Sequence, residues 1–231
     1  MNPQEQPIIL PRHIGLITDG NRRWAKAHGL PSLEGHRRGC EAAKLIAQAA
    51  FDHGIKEFTA WAFSTENWNR SKEEIDYLMK LFKNWLEEFS VQFKNKNVKI
   101  RVVGQKWKVP HSFQKVIERV EEETNDCTGM TFNMALSYGG RDEIVQGIKK
   151  MLENGTKPVN ITEKTVSENL WLPDIDLIIR TGGEQRLSGF LTWQSVYAEL
   201  FFVKKYLPDF TPDDFKEILD EFARRQRRFG K

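Results

Sequence analysis

Short apolar runs alternate with longer amphipathic segments along the chain. The runs have the length of buried strands, which carry apolar side chains on both faces. They predict strands at Ile14–Thr18, Glu57–Phe63, Val98–Val103, Met130–Leu136, Ile175–Arg180 and within Glu199–Val203. Helical periodicity fills the intervals, with helices expected at Leu33–Asp52, from Lys72 onward, and at Ser112–Glu123, Arg141–Leu152 and Pro212–Arg228.

Strands that alternate with helices indicate an α/β fold whose central, mostly parallel six-stranded sheet is flanked by helices. No repeat or low-complexity linker divides the 231 residues. We therefore expect an N-terminal tail over residues 1–12 and a single domain over residues 13–231. Ligands of such sheets bind beyond the carboxyl ends of the strands, so polar residues at those ends are the candidates for a functional site.

Composition narrows the classes of function. Charged residues make up 29% of the chain and the formal net charge is +3, a balance that disfavours a nucleic-acid binder. The two cysteines, Cys40 and Cys127, lack the spacing of metal ligands and fit a reducing cytoplasm. We recognise neither a signal peptide nor a membrane-spanning window, and we expect a cytoplasmic protein.

Polar residues follow the first predicted strand at once, in the stretch HIGLITDGNRRWA. Gly20 permits a tight turn, and Arg22 and Arg23 suit bidentate recognition of an anion. Asp19 fits such a site if a cation bridges its carboxylate to the anion, as magnesium does with diphosphates. The simpler alternative is an ordinary Asp-Gly turn with solvated arginines.

Two further polar loops follow predicted strands. The stretch FSTENWNR, residues 63–70, is dense in hydrogen-bonding side chains. The stretch RTGGEQRLS, residues 180–188, sets a glycine pair between two arginines and suits a second phosphate-type anion. Glu199 lies among apolar residues, so its burial would need a metal or an arginine. Plain loops and a surface glutamate are the simpler alternatives.

The predicted helix after Ser71 is apolar on more than one face. Its residues Trp85, Phe89 and Phe93 belong either to the core or to one wall of an apolar tunnel. The opposite wall would come from the fourth strand, through Met130, Phe132, Met134 and Leu136. Anion sites above an apolar hole describe a prenyl diphosphate as the ligand.

These motifs resemble those of the cis-prenyltransferases, the undecaprenyl diphosphate synthase family. The resemblance covers His13 to Gly230 and rests on DGNRRWA, FSTENWNR, YGGRDEI, DLIIRTGGEQRLSGFLTWQSVYAELFF and RRQRRFG. It implies one α/β domain with an apolar tunnel, a homodimer, and magnesium-dependent addition of isopentenyl diphosphate to an allylic prenyl diphosphate. The implied product is a Z-polyprenyl diphosphate of the undecaprenyl carrier-lipid type, released with peripheral membrane contact.

The resemblance also implies residue roles. The catalytic group would be Asp19, Ser64, Asn67 and His36, and the magnesium ligands would be Asp19 and Glu199. The allylic diphosphate would be held by Gly20, Asn21, Arg22, Arg23 and Trp24, beside the loop residues Phe63, Trp68 and Arg70. Isopentenyl diphosphate would be held by Arg180, Arg186 and Ser188, and the C-terminal Arg228 and Gly230 would reach over the partner's site.

Two departures from the family pattern bear on the substrates. Ser32 stands where many bacterial members carry an arginine, and Arg22 stands where many have glycine, so we hypothesise that Arg22 substitutes for the missing contact. Ala62 would leave the upper tunnel open, whereas Leu136 stands where some long-chain members have alanine. These two cues on product length conflict.

Three alternatives stay open. A short-chain or irregular prenyl diphosphate synthase would share the fold and the motifs. A noncatalytic subunit of a heteromeric prenyltransferase would lose the aspartate and the diphosphate arginines, which this chain keeps. A nucleic-acid binder would use the basic tail and exposed tryptophans.

Overall fold

Six strands make up the sheet in the computed structural model, which describes residues 10–225. They are β1 (His13–Ile17), β2 (Glu57–Ser64), β3 (Lys99–Val103), β4 (Thr131–Tyr138), β5 (Leu177–Arg180) and β6 (Glu199–Phe202). All neighbouring strands are parallel and follow the order β3-β4-β2-β1-β5-β6. The order reverses beside β1, which is where ligands of such sheets bind.

Seven α-helices within residues 10–225 flank the sheet. They are α1 (Asn21–Ala27), α2 (Ser32–Asp52), α3 (Lys72–Lys94), α4 (His111–Glu123), α5 (Gly140–Glu153), α6 (Glu163–Asn169) and α7 (Pro212–Arg224). Side-chain caps fix where the longer ones begin, because they satisfy backbone N–H groups that lack a helical partner. Ser71 accepts from the Glu74 N–H at the start of α3 at 3.3 Å, and Thr211 caps α7 ahead of a proline.

The core divides between the two faces of the sheet, because successive strand residues point to opposite sides. Leu16 belongs to a large apolar cluster with residues of α2, α3, α4 and α7. The next residue, Ile17, belongs to a smaller cluster on the other face, with Trp61 and Phe190. Helices therefore cover a two-sided core, as the continuous apolar strands predict.

The predicted α/β class and the parallel six-stranded sheet are confirmed. Strand and helix bounds differ from the predicted ones by a few residues at most, apart from the last helix. That helix ends at Arg224, because Arg225 has an extended backbone, so it is shorter than the predicted Pro212–Arg228; Arg228 itself lies outside the described residues. Most of the expected N-terminal tail, residues 1–9, lies outside them as well.

Two short helices were not expected. α1 forms where the sequence suggested only a turn, because Trp24 and Ala25 are buried and the indole N–H of Trp24 donates to Asp209 at 2.7 Å. α6 begins at a capping box formed by Thr162 and Thr165. Among residues 10–225, no helix has the length and hydropathy to cross a bilayer.

Candidate active site

The carboxyl ends of β2, β1 and β5 lie side by side, because these three strands are neighbours in the sheet. The loops that follow them carry the polar stretches singled out in the sequence. Below them a cavity of about 350 Å³ opens between the sheet, α2 and α3. Its mouth is lined by side chains of all three loops, including Asp19, Asn67 and Arg180. The structure therefore brings the three motifs to one place.

Gly20 makes the turn after β1 and leads into α1. Its φ of 102° lies in the left-handed region that favours glycine, and a Cβ there would come within 2.6 Å of the Tyr206 ring. The turn sets Asp19 at the rim of the cavity, and its backbone is fixed by the Thr181 hydroxyl, which donates to the Asp19 carbonyl at 2.7 Å.

The carboxylate of Asp19 is held from three sides. Oδ1 accepts from the Gly20 N–H at 2.6 Å and from Arg23 Nη2 at 3.0 Å, and Oδ2 accepts from Arg180 Nη2 at 2.9 Å. Partial burial works against ionisation, but the hydrogen bond from Arg180 and the charge of Arg23 outweigh it, so the pKa of Asp19 lies below its ordinary value. Asp19 is therefore an anion at neutral pH.

Arg180, at the end of β5, is buried and aimed at the mouth of the cavity. Besides Asp19 it contacts Ser188 Oγ at 3.0 Å and the backbone carbonyl of Arg186. Its Nε is a buried donor with no partner among the described residues. The Arg186 side chain is 60% exposed and lines the same cavity. Together these groups form a basic pocket with an unfilled donor.

Glu184 joins the arginines of two different loops. One of its carboxylate oxygens accepts from Arg23 Nη1 at 3.1 Å and the other from Arg186 Nη1 at 2.6 Å. Sequence reasoning left Glu184 out of the site. The sequence does offer one signal for this role, because Glu184 lies between Arg180 and Arg186 in the stretch assigned to anion binding.

The loop after β2 is a short 3-10 turn, Thr65–Asn69. Asn67 closes it through Oδ1, which accepts from the Ser64 N–H at 3.1 Å. Ser64 and Asn67 both line the cavity, with the ring of Phe63 beside them. Trp68 instead packs edge-on against Phe63 and donates to Ser137 Oγ at 2.8 Å. Trp68 therefore anchors the loop to β4.

His36, on α2, and Arg70, after β2, are joined by a carboxylate that the sequence reading missed. Glu74 Oε1, in the first turn of α3, lies 3.1 Å from His36 Nε2 and accepts from Arg70 Nη1 at 3.0 Å. Burial lowers the pKa of His36, although the hydrogen bond to Glu74 partly opposes it. The (i, i+4) spacing of Arg70 and Glu74 was a signal for one half of this bridge.

Arg22 and Ser32 line the same surface depression outside the cavity, together with His36 and Arg70. Ser32 is the first residue of α2. Among residues 10–225, Arg22 has neither a hydrogen bond nor an ion pair, so its guanidinium group is available to an anion. This arrangement fits the hypothesis that Arg22 takes the place of an arginine absent at position 32.

The inner part of the cavity is apolar. Its lining comes from α2, β2, α3 and β4, through Ala43, Ala60, Ala62, Leu78, Phe82, Trp85, Phe132 and Met134. Of the side chains expected to form a tunnel, Phe89, Phe93, Met130 and Leu136 are instead packed in the core and do not line the cavity. Trp85, Phe132 and Met134 therefore match the expectation, and the other four side chains do not.

Two expected site residues lie apart from the rest. Trp24 is buried between α1 and Asp209 and lines no part of the cavity. Glu199 begins β6, whereas Asp19 follows the end of β1, so within one chain they lie at opposite ends of the sheet. Glu199 instead accepts from Arg225 Nη1 at 2.7 Å. Arg228 and Gly230 lie outside the described residues.

One carboxylate is available here for a divalent cation. Within residues 10–225 no group of three or more His, Cys, Asp or Glu side chains could hold a metal ion. Magnesium often takes one or two protein carboxylates and completes its shell with waters and substrate phosphates. The ionised Asp19 at the mouth, beside arginines that suit phosphates, fits that mode of binding.

Fold and site together define a class: an α/β enzyme that holds phosphorylated head groups at the mouth of an apolar cavity. Two sets of guanidinium groups face the mouth, one from the loop after β1 and one from the loop after β5. The apolar walls below suit the hydrocarbon part of the same ligands.

Comparison with known proteins agrees with this class. Residues 17–230 match the family described as "Putative undecaprenyl diphosphate synthase". The isoprenyl transferase of Thermotoga maritima is 43% identical over 226 residues, which cover 96% of this chain and 97% of that protein. The isoprenyl transferase of Aquifex aeolicus is 40% identical and covers 97% of both chains.

Two solved structures share the fold. Lavandulyl diphosphate synthase from Lavandula x intermedia, in complex with dimethylallyl diphosphate, superposes with a TM-score of 0.92 at 36% identity, over 96% of this chain and 99% of that one. A "probable undecaprenyl diphosphate synthase" from Campylobacter jejuni gives a TM-score of 0.82 at 34% identity, with the same coverage. The chain belongs to the undecaprenyl diphosphate synthase family and is a prenyl transferase.

Proposed function

We propose that this chain joins isopentenyl diphosphate to an allylic prenyl diphosphate and leaves a cis double bond in the product. One observation carries the proposal: Asp19 lies between two sets of arginines at the mouth of an apolar cavity. Two diphosphates can then bind side by side while a hydrocarbon chain extends between the sheet and α3.

The allylic diphosphate would bind at the depression next to α1. Arg22 is available there, and Arg23 is held in place by Asp19 and Glu184. As the bond between the allylic carbon and the diphosphate oxygen breaks, negative charge grows on the leaving group. Fixed guanidinium groups at that point stabilise the departing charge.

Magnesium is the proposed cofactor, with Asp19 as its ligand from this chain. When bound, it would add Lewis-acid stabilisation to the leaving diphosphate. The arginines that contact Asp19 keep its carboxylate ionised and oriented for that role. A cation here would give the Asp19 carboxylate a role in substrate binding beside its contacts with Arg23 and Arg180.

Isopentenyl diphosphate would bind through Arg180, Arg186 and Ser188, which the loop after β5 holds together. Its C4 carbon forms the new bond to the allylic carbon, and a proton then leaves C2 to give the double bond. Ser64, Asn67 and His36 line the cavity near that point and are the candidates to receive or pass on the proton. The lowered pKa of His36 favours its neutral form, which can accept a proton.

A homodimer would give Glu199 a place in the site, as the resemblance implies. β6 is an edge strand of the sheet, and Leu200 on it is 36% exposed next to Val196, which is 74% exposed. Exposed apolar groups along a sheet edge favour pairing with a second copy. Sedimentation velocity of the purified chain tests the proposal: a monomer at micromolar concentration contradicts it.

Incubation with labelled isopentenyl diphosphate tests the activity. Starters of two, three and four isoprene units are supplied, with magnesium or with excess chelator, and the products are separated by chromatography. Elongated products in magnesium and their loss with chelator are expected. If no starter is extended under either condition, the proposed activity is wrong.

The similarity to lavandulyl diphosphate synthase favours a second candidate, the synthesis of an irregular prenyl diphosphate. The same assay distinguishes the two activities. A C10 product formed from dimethylallyl diphosphate alone, without isopentenyl diphosphate, would identify the irregular reaction.

A further inference from the structure

A short segment after β6 contacts both loops that carry the arginines of the site. It comprises residues 203–207 and is here called the strap. The Lys205 carbonyl accepts from the Gly182 N–H, in the loop after β5, at 2.7 Å. The Leu207 N–H donates to the Asp19 carbonyl, in the loop after β1, at 3.1 Å. The strap therefore holds the two loops in one arrangement.

Two side-chain contacts attach the strap and the turn that follows it to neighbouring helices. Lys205 Nζ donates to both carboxylate oxygens of Asp214, in the first turn of α7, at 2.7 and 2.9 Å. Asp209, two residues beyond the strap, accepts from the indole N–H of Trp24 on α1 at 2.7 Å. These contacts fix the strap within the fold, so a side chain on it has a defined position.

Tyr206 lies in the strap with its ring next to Gly20. A Cβ at Gly20 would come within 2.6 Å of the ring and within 3.1 Å of the Tyr206 Cα, so only glycine permits this close approach. Arg23, in the helix that Gly20 precedes, lies over the same ring, with 5.5 Å between its Cζ and the ring centroid. That distance is within the range of a cation–π contact.

The Arg23 guanidinium group has three other neighbours. Nη2 donates to Asp19 at 3.0 Å and Nη1 donates to Glu184 at 3.1 Å. The backbone of Gly182 lies against the same group, since a Cβ there would come within 2.8 Å of Nη2. The two acids hold Arg23 by accepting from its N–H groups, whereas the Tyr206 ring attracts the positive charge through its face. The ring is therefore the contact that leaves the guanidinium donors available to a phosphate.

We propose that Tyr206 is a positioning residue that orients the Arg23 guanidinium group toward the diphosphate of the allylic substrate. The proposal rests on the function proposed above. A bound diphosphate takes up N–H groups of Arg23 that Glu184 contacts in its absence, whereas it does not compete with the ring. An arginine already held in its binding orientation loses less side-chain entropy when the ligand binds, so its contact contributes more to affinity.

Two substitutions separate the ring of Tyr206 from its hydroxyl. Tyr206→Leu removes the ring and should raise the KM for the allylic substrate about 2- to 5-fold, the effect expected for one cation–π contact at a partly exposed site. The KM for isopentenyl diphosphate should stay the same. Tyr206→Phe keeps the ring, and within residues 10–225 the hydroxyl has no hydrogen-bond partner, so this variant should restore the allylic KM.

Phe51→Leu is the matched control. Phe51, near the end of α2, lies under Lys96 Nζ in another cation–π contact, with 5.8 Å between Nζ and the ring centroid. It lines neither the cavity nor the depression next to α1. The same kind of contact is therefore lost away from the site, and both KM values should remain those of the wild type. Tyr206→Met serves as a second variant if Tyr206→Leu does not fold.

The double variant with Arg23→Gln shows whether Tyr206 acts through Arg23. If it does, Tyr206→Leu has no further effect on the allylic substrate once Arg23 is replaced, so the two effects are not additive. A merely structural role would give the same loss in both backgrounds. Three results would overturn the proposal: additive effects, an unchanged allylic KM in the folded Tyr206→Leu variant, or an equal loss in Tyr206→Phe.

A binding measurement separates this proposal from the proposed function. Geranyl thiolodiphosphate, an allylic analogue that resists cleavage, is titrated by calorimetry into the wild-type chain and the same variants. Affinity should fall about 2- to 5-fold in Tyr206→Leu, be retained in Tyr206→Phe, and be equal in Arg23→Gln and the double variant. If this pattern appears without turnover, only the reaction is assigned wrongly. If turnover occurs but the losses of affinity add, the positioning role is wrong and the proposed function stands.

Discussion

The two ends of the sheet both bury polar side chains, but they use them differently. At the amino end, His13 contacts Thr59 Oγ1 at 2.8 Å and the Asp174 carbonyl at 3.0 Å, and Asp176 accepts the His13 N–H at 3.0 Å. These groups satisfy one another. At the carboxyl end, charged groups keep hydrogen-bond donors without a protein partner; Arg22, for example, makes no hydrogen bond or ion pair within residues 10–225.

The difference shows how to separate a structural polar cluster from a binding one. A closed network at the amino end fixes the positions of β1, β2 and the segment before β5, so its loss should reduce stability alone. The rim at the carboxyl end holds its arginines with acids but leaves donors for a ligand. Its loss should reduce turnover or substrate binding more than stability.

Replacement of Asp19 should give the largest effect. Asp19→Asn keeps the shape but removes the charge that orients Arg23 and Arg180, and it weakens the proposed cation ligand at the mouth of the cavity. We expect kcat to fall roughly 10²- to 10³-fold with little change in melting temperature. Asp176→Asn, the same substitution at the other end of the sheet, should lower the melting temperature and preserve kcat. Equal kcat losses in both variants would contradict the comparison.

Arg22→Gly tests the outer part of the rim. Loss of a charge-assisted contact to a diphosphate should raise the KM for the allylic substrate about 10- to 100-fold, while the KM for isopentenyl diphosphate stays the same. Ala27→Gly controls for a glycine in the same short helix, since Ala27 is exposed. An unchanged allylic KM would reject the role of Arg22.

Glu74→Gln tests the bridge between His36 and Arg70. A neutral amide cannot hold both partners as a carboxylate does, so we expect kcat/KM to fall about tenfold with most of the loss in the allylic KM. Glu73→Gln, at the exposed neighbouring position, is the control. A loss of stability without any change in the two KM values would make Glu74 a purely structural residue.

His13→Gln should affect the amino end only. It removes one of two buried ring contacts and leaves a buried polar group unpaired, which costs about 1 to 2 kcal/mol. A melting temperature lower by several degrees is expected by differential scanning calorimetry, with kcat and both KM values retained. Altered kinetics in the folded variant would mean that the two ends are coupled.

The smallest effect concerns pH. Burial lowers the pKa of both His13 and His36 from the ordinary value of 6.5. Below that value the unfolded chain takes up protons that the folded chain resists, so stability is full above pH 6.5 and declines as the pH falls further. Melting temperatures measured from pH 7.5 to 5.5 should show this decline. His36→Gln should make the decline shallower; an unchanged slope would assign it to other groups.

Much of the fold and part of the site could be predicted from the sequence. The apolar runs identified all six strands, and parallel pairing puts the loops after β1, β2 and β5 at the same edge of the sheet. That geometry predicts Asp19, Asn67 and Arg180 at one edge, whereas their place around one cavity depends on the observed order of the strands. Ser188 and Arg186 followed from the same loop.

The remaining contacts depend on packing that no local pattern encodes. Glu74 reaches His36 only because α2 and α3 pack against each other, and the sequence of neither helix predicts the angle between them. The inner end of the cavity likewise depends on how α3 packs against β4, where Trp85 contacts Phe132. Glu199 looked like a residue at the mouth of the cavity because its apolar neighbours suggested burial. It begins its strand instead, and it accepts a hydrogen bond from Arg225, whose guanidinium group also lies over the Phe201 ring.

Glu184 gives the site an internal competitor. Its carboxylate accepts from one amino group of Arg23 and one of Arg186, so an incoming ligand competes with it for these two guanidinium groups. A singly charged anion offers those arginines no more than Glu184 does, whereas a diphosphate brings more charge and more acceptor oxygens. Binding at the mouth is therefore an exchange between anions, and this exchange favours a diphosphate over a small monoanion.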